Sequence, residues 1–205
     1  MTATRILMHG VAGTLLVIAV GAWSLDLDTL INTCNDCHGE RGVSEWDDTP
    51  TIAGLDYYAH TDALWAYRER TRPCISSAYH RHDTERPATD MCAIADALDE
   101  EQIDALGEYY AALPFVAAQQ PFDAKLAARG RRIHDRHCER CHSDGASNAD
   151  DEASILAGQW IKYLETAFAQ YAGRERGQPK DMKKVMDKLS DSDITALLHF
   201  YASQQ

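Results

Sequence analysis

The sequence predicts an all-α protein made of two similar domains in tandem. A pentapeptide with two cysteines and a histidine occurs twice, as Cys34-Asn35-Asp36-Cys37-His38 and as Cys138-Glu139-Arg140-Cys141-His142. Apolar residues recur at helical spacing around both copies, and no stretch longer than a few residues alternates between apolar and polar side chains. The total of 205 residues has room for two domains of roughly 90 residues each.

The repeated pentapeptide is the C-x-x-C-H pattern that attaches c-type haem. Two cysteines one helical turn apart can bond both vinyl groups of one porphyrin while the adjacent histidine binds its iron. A thioredoxin-like motif would need a βαβ setting, and a zinc site would not readily use a histidine directly after the second cysteine. We therefore predict two covalently bound haem c groups, held by Cys34 and Cys37 and by Cys138 and Cys141.

The likeness between the two halves extends beyond the haem motifs, which lie 104 residues apart. The same offset relates three further pairs: Gly54 and Gly158, Tyr67 and Tyr171, Arg70 and Arg174. The glycines are expected to form turns or to let the chain approach the porphyrin closely. Further along, the offset falls to 91 and pairs Met91 with Met182, so the first copy carries 13 extra residues between Arg70 and Met91.

Each half is predicted to contain three helices: residues 25–33 and 124–137 lead into the haem motifs, 56–70 and 159–171 follow, and 100–113 and 192–203 come last. The domains are expected to span residues 23–117 and 123–205, with residues 118–122 as a linker. Pro114 closes the helix before this linker. So short a connection favours a fixed pair of haems over two independent domains.

The N-terminal segment has the features of a secretory signal peptide. Arg5 precedes an apolar run over residues 11–20, and small residues follow at Gly21 and Ala22. We predict that residues 1–22 are removed and that the mature chain is periplasmic, since covalent haem attachment agrees with an oxidising compartment. A retained membrane anchor is the alternative, although the apolar run is short for a membrane span.

Acidic residues outnumber basic ones, with 32 against 20 and a formal net charge of −12. Haem propionates would make the mature protein more negative still. This charge argues against nucleic acid and anionic membrane surfaces as partners, and it favours proteins that carry a basic patch. A solvated surface that only aids solubility is the plainer interpretation of most single carboxylates.

Each iron needs ligands on both of its faces. His38 and His142 supply one ligand each, and the aligned Met91 and Met182 are predicted to supply the other. Thioether ligation favours ferrous iron and suits electron transfer, whereas the ordinary role of a methionine beside an apolar helix is core filling. With both irons saturated, we expect no catalytic residue in this chain.

Other side chains compete for these roles. Met186 is a second methionine in the last quarter of the chain, but Ala95 stands at the matching position of the first copy. His80 and His82 lie in the insertion, where they could replace Met91 or simply be solvated.

Two cysteines remain outside the haem motifs. Cys74 lies in the insertion and Cys92 follows Met91 directly, so a disulfide between them would tie the extra loop to the proposed ligand. An even leftover pair in an exported protein favours this disulfide. A reactive cysteine or a thiolate haem ligand is the alternative.

With these residues in hand, the chain resembles the dihaem cytochromes c, and more narrowly the cytochrome subunit of flavocytochrome c sulfide dehydrogenase. The narrower similarity is strongest between residues 122 and 205, in His134-Asp135, Ile155 to Trp160, Tyr163-Leu164 and Phe200 to Gln205. In the first half it is limited to the haem motif, Pro50 to Gly54 and the Met91 helix. The Cys74 and Cys92 pair departs from the family pattern.

The resemblance implies two tandem class I cytochrome c domains, each wrapped round one covalent haem. It also implies a heterodimer with a flavoprotein subunit that carries FAD and oxidises sulfide. This chain has no G-x-G-x-x-G fingerprint, so it would accept electrons from the flavoprotein and pass them to a soluble acceptor such as a small cytochrome. The alternatives are a free-standing dihaem carrier and a dihaem thiosulfate-oxidising enzyme, which would need a non-methionine ligand at one iron.

Overall fold

The computed structural model describes residues 26–151 and 153–205, so the predicted signal peptide lies outside the described residues. This part of the chain forms the helices α1 Leu27–His38, α2 Tyr57–Arg68, α3 Met91–Asp96, α4 Glu100–Ala111, α5 Ala124–His137, α6 Ser143–Ala146, α7 Ile161–Ala172, α8 Lys180–Met186 and α9 Asp191–Ala202. Its one bridge of extended chain pairs Ser77 with Thr89 in the insertion. Of the helices described here, none has the length and apolar character needed to span a bilayer.

The helices repeat along the chain as the sequence predicts. The bounds of α2 and α7 differ by 104 residues, and those of α4 and α9 differ by 91. The cap residues explain several starts: the Asp56 side chain accepts from two amides of α2, and Asp99 and Ser190 form capping boxes at α4 and α9. The predicted all-α class is therefore confirmed.

Two features differ from the sequence-based expectation. Helix α1 continues through the first haem motif to His38 instead of ending near residue 33, and Gly39, at φ 82°, terminates it. The segments around Met91 and Met182, which lie outside the helices expected from the sequence, form short helices of their own, α3 and α8. Asp90 accounts for the first of these, because its side chain accepts from the amides at the start of α3.

Each half has its own apolar core. The first is centred on the buried Ile103, Leu106 and Tyr110, and the second on Leu164, Leu197, Phe200, Tyr201 and their neighbours. A third, smaller cluster joins the halves through Leu55, Ile155 and Ala157. The two halves are therefore packed against each other.

Gly54 and Gly158 lie at equivalent left-handed turns beside the segment that connects the halves. A Cβ at Gly54 would lie 2.3 Å from the backbone nitrogen of Phe115, and one at Gly158 would lie 2.5 Å from the Cβ of Ala117. Glycine is required here because the connecting segment passes so close, and because φ is about +70° at both positions. Both glycines thus combine a turn with a close approach, and the chain they approach is the connecting segment.

Candidate haem-binding sites

The first haem motif occupies the last turns of α1. Its Asn35 is buried, and the Asn35 side-chain oxygen accepts hydrogen bonds from the Tyr110 hydroxyl at 3.0 Å and the Gly42 amide at 3.1 Å. Cys34 packs against the first core. The motif is therefore fixed from one side by α4 and from the other by the turn that follows it.

The second motif begins where α5 ends, so Cys138 to His142 form a hydrogen-bonded turn. Glu139 stands at the position equivalent to Asn35 and accepts from the Asp144 amide at 3.0 Å. It also bonds the buried His134 at 2.7 Å, whose other ring nitrogen lies 3.1 Å from the Tyr201 hydroxyl. Because both ring nitrogens of His134 are engaged, this histidine is a packing residue.

His38 is buried and oriented by the backbone. Its Nδ1 lies 2.9 Å from the Pro50 carbonyl oxygen, so Nδ1 carries the proton and donates it. Burial lowers the pKa of His38, which keeps the ring neutral. An imidazole fixed through Nδ1 presents the Nε2 lone pair to a metal, the usual arrangement of a ligating histidine.

His142 has a similar environment. Burial lowers its pKa, while the backbone of Ser154, the counterpart of Pro50, acts in the opposite direction. The Nδ1 of His142 is buried without a hydrogen bond of good geometry to any described residue. Both histidines are thus neutral, enclosed side chains of the kind that haem iron takes as ligands, and their ligation stays a prediction.

Three of the motif cysteines are at least partly buried. Burial raises the pKa of Cys34 to about 11, and it also raises the pKa of Cys37 and Cys138. A thiol that stays protonated at neutral pH is a poor nucleophile and a poor zinc ligand. These three cysteines are therefore poorly suited to disulfide exchange or zinc binding, whereas Cys141 is exposed.

The candidate methionine ligands lie at equivalent places. Met91 is the first residue of α3, and Met182 lies in α8 and packs against the second core. Both are partly buried, whereas Met186 is buried within that core beside Leu164 and Phe168. Ligation by Met91 and Met182 stays a prediction.

Two arginines that the sequence analysis missed lie between the halves. Arg72 is buried, with its guanidinium 4.5 Å from the centre of the Tyr67 ring, and Arg176 lies 4.5 Å from that of Tyr171. Arg72 also donates to the Tyr163 hydroxyl at 3.2 Å. Burial would raise the pKa of Tyr163, but the two arginines hold it below its ordinary value. The 104-residue offset relates these arginines and could have revealed them.

Arg72 is a buried cation without a described counter-ion. Its Nε is buried without a hydrogen-bond partner, and no described carboxylate forms an ion pair with it. A buried cation of this kind needs a compensating negative group. The carboxylate edge of a porphyrin is such a group, so the residues present fit a haem at this part of the structure.

The insertion between Arg70 and Met91 contacts the first haem motif. Cys74 and Cys92 are joined by a disulfide with a Cα–Cα distance of 5.5 Å. The backbone oxygen of Asp36 accepts from the amides of His80 at 2.9 Å and Arg81 at 3.0 Å. We call residues 74–90 the clasp.

The Asp36 carboxylate binds the clasp as well. It contacts the His82 ring and the Arg86 guanidinium, and Arg86 in turn lies over the Tyr79 ring. His80 stacks on Trp46 at 4.4 Å. In this arrangement His80 and His82 serve the contact between clasp and motif.

Comparison with known proteins agrees with this architecture. No protein-family model and no curated protein matches the chain. Among solved structures, cytochrome c4 of Acidithiobacillus ferrooxidans matches 84% of this chain and 99% of its own, at 20% identity and a TM-score of 0.68. Reduced cytochrome c4 of Pseudomonas stutzeri matches 86% of this chain and 97% of its own, at 22% identity and a TM-score of 0.67.

A third solved structure is larger. The thiosulfate dehydrogenase of Marichromatium purpuratum matches 83% of this chain at 25% identity and a TM-score of 0.64, over 36% of its own length. Helix order, duplicated turns and these likenesses lead to one conclusion. The chain has the fold of two tandem class I cytochrome c domains.

Proposed function

We propose that this protein is a dihaem c-type electron-transfer protein. The observation that supports this most directly is the pair of C-x-x-C-H motifs, each ending in a neutral, enclosed histidine, at equivalent places of a duplicated fold. Covalent haem supplies one-electron redox chemistry when it is bound. The chain itself would hold and enclose each haem and set its reduction potential.

The roles of the residues are distinct. Cys34, Cys37, Cys138 and Cys141 would anchor the porphyrins, and His38 and His142 would each supply one ligand to an iron. Met91 and Met182 would each supply a second ligand, and thioether ligation raises the potential of a haem. With two saturated irons, the chain relays electrons without binding a substrate at its metals.

For the donor, we propose a flavoprotein subunit that oxidises sulfide, with FAD in that subunit only. The sequence segments Ile155 to Trp160 and Phe200 to Gln205 support this, since they resemble the sulfide dehydrogenase cytochrome subunit. The electrons would then leave to a soluble acceptor such as a small cytochrome, in the periplasm after removal of residues 1–22.

A free-standing carrier is the second candidate. It is favoured by the two cytochromes c4, because this chain aligns with 97% or more of their lengths. Such a carrier would be isolated without a flavoprotein. The likeness to a thiosulfate dehydrogenase supports a third candidate, in which a partner or the chain itself oxidises thiosulfate.

Purification from its own cells tests these alternatives. A pyridine haemochrome spectrum should first give two haems per chain, and a chain without haem would overturn the proposal as a whole. Co-purification with a flavoprotein, and sulfide-dependent haem reduction only in its presence, are expected for the subunit. An isolated cytochrome that no sulfide-oxidising fraction reduces would contradict the sulfide role and leave the free carrier.

A further inference from the structure

The two haem motifs differ in what covers them. Asp36 of the first motif is buried under the clasp, and the Cys37 sulfur lies 4.0 Å from the Ala78 carbonyl oxygen of the clasp. The equivalent residues of the second motif are Arg140, whose side chain is 81% exposed, and Cys141, which is also exposed. The second copy has no counterpart of the clasp, because the 13 additional residues occur only in the first copy.

The two halves also differ in their charge. Residues 26–117 contain 6 basic and 19 acidic residues, whereas residues 118–205 contain 13 of each. Most of the basic residues in the second half lie on or next to α5 and α8. The net charge of −12 therefore belongs to the first half.

A groove between α5 and α8 brings the basic residues together beside the second motif. Ile133, Val185 and Leu189 line it, and Arg136, His137, Lys188 and the acidic Asp193 surround them. Arg140 connects the groove with the motif, since its guanidinium lies 3.6 Å from Asp181 of α8.

Most of the acidic residues near this groove form ion pairs. Asp181 pairs with Lys184, Asp187 with Lys183, and Asp193 with Arg129. Arg136 and Lys188 form no ion pair with any residue that the structure describes, and both are exposed. Their charges are available to a partner.

We propose that this groove and its basic rim, Arg136, Arg140, Lys184 and Lys188, are the docking surface for an acidic one-electron partner protein, which exchanges electrons through the second haem. The inference rests on the proposed dihaem function. It assigns different roles to the two motifs: the first, which is covered by the clasp in the acidic half, is closed to such a partner, and the second, beside the basic rim, is open. Apolar side chains at the centre of a charged rim are the usual composition of a transient interface.

Oxidation of the reduced holoprotein by hexacyanoferrate(III), followed by stopped-flow absorbance, tests the surface. The net charge alone would repel this trianion, so the rate constant would rise with added salt. The basic rim predicts the opposite, a rate constant that falls as salt is added. A rate constant that rises with salt would contradict the proposal.

Charge reversals locate the effect. Arg136→Glu and Lys188→Glu should each lower the rate constant at low ionic strength by roughly fivefold or more. Lys125→Glu is the matched control, because it makes the same charge change on α5 about 16 Å from Arg136 along the helix axis. Equal effects of Lys125→Glu and Arg136→Glu would show a general charge effect and overturn the assignment.

An acidic polypeptide distinguishes a protein-docking surface from attraction of small anions. Poly-L-glutamate should slow hexacyanoferrate oxidation of the wild-type holoprotein and should have little effect on the Arg136→Glu, Lys188→Glu double variant. Equal slowing of both proteins would place the polypeptide elsewhere and contradict the docking surface. All of these experiments use protein whose haem content has been verified. A failure of haem attachment can therefore be distinguished from a failure of this inference.

Discussion

Thr51 and Gln159 exchange two hydrogen bonds across the boundary between the halves, although they are 108 residues apart. The Thr51 amide donates to Gln159 Oε1 at 3.0 Å, and Gln159 Nε2 donates to the Thr51 carbonyl at 2.7 Å. Under the 104-residue offset these positions correspond to Ile155 and Leu55, which lie together in the apolar cluster between the halves. The same two positions thus meet twice, once through polar groups and once through apolar ones, as in a pseudo-twofold interface.

Gln159→Leu should loosen this boundary. The substitution leaves a buried amide and a buried carbonyl of Thr51 without partners, which should cost about 3 kcal/mol. Urea unfolding of the holoprotein measures the loss, and Gln119→Leu, at an exposed position, is the control. Equal stability of the Gln159 and Gln119 variants would mean that the pair does not hold the halves together.

Asp36→Asn should weaken the clasp in a pH-dependent way. Burial would raise the pKa of Asp36, but hydrogen bonds from His82 and Arg86 outweigh it and lower this pKa. The carboxylate therefore contributes stability above its ordinary pKa of 3.8, and this contribution is lost as the pH falls through the lower folded-state value. We expect Asp36→Asn to cost about 1 kcal/mol at neutral pH and progressively less in acid.

Denaturant titrations from neutral pH down to about pH 3 test this linkage. Asp62→Asn changes an exposed carboxylate in the same half and should leave the wild-type pH profile unchanged. Parallel profiles for wild type and Asp36→Asn would show that the carboxylate does not stabilise the clasp.

The methionines can be distinguished by spectroscopy. Met91→Ala and Met182→Ala should each remove about half of the weak red absorption band of sulfur-ligated ferric haem and lower the potential of one haem. Met186→Ala should leave the band intact and cost about 2–4 kcal/mol of stability, because it creates a cavity in the second core. Loss of the band in Met186→Ala, with no change in Met182→Ala, would exchange the two assignments.

Loss of the disulfide should release the clasp. The Cys74 and Cys92 bond closes a loop with a sequence separation of 18, so replacing both cysteines by serine should cost about 3 kcal/mol in the chain-entropy model. Thermal unfolding measures this cost, and trypsin cleavage after Arg81 reports whether the clasp opens. Resistance to trypsin equal to that of the wild type would show that the Asp36 contacts alone hold the clasp.

The local features of this chain were predictable from sequence. The C-x-x-C-H motifs, the bounds of α5 and the starts of the third helices, which were expected at residues 100 and 192 and lie at Glu100 and Asp191, all follow from short patterns. The repeat offsets also identified α2 with α7 and α4 with α9 without any structure. Such predictions succeed because their causes lie within one or two helical turns.

The remaining features depend on contacts between distant parts of the chain. The bonds of Gln159 to Thr51, of His134 to Tyr201 and of Asp36 to His82 join residues at least 46 positions apart, and a single sequence does not indicate which polar side chains will meet. The separate helix around Met91 is hard to predict for a local reason. Asp90 is a typical N-cap residue, but the helix that follows it is only six residues long and shows little periodicity.

The connecting segment, finally, limits how this molecule can vary. Phe115 fits against Gly54, Ala117 fits against Gly158, and the Ala118 amide donates to the Gly158 carbonyl at 2.8 Å. Residues added here would displace both contacts at once, so the spacing of the two halves cannot be changed simply by lengthening the connecting segment. Cleaving the connecting segment would likewise remove contacts that each half needs, and we expect neither half to behave as an autonomous monohaem protein.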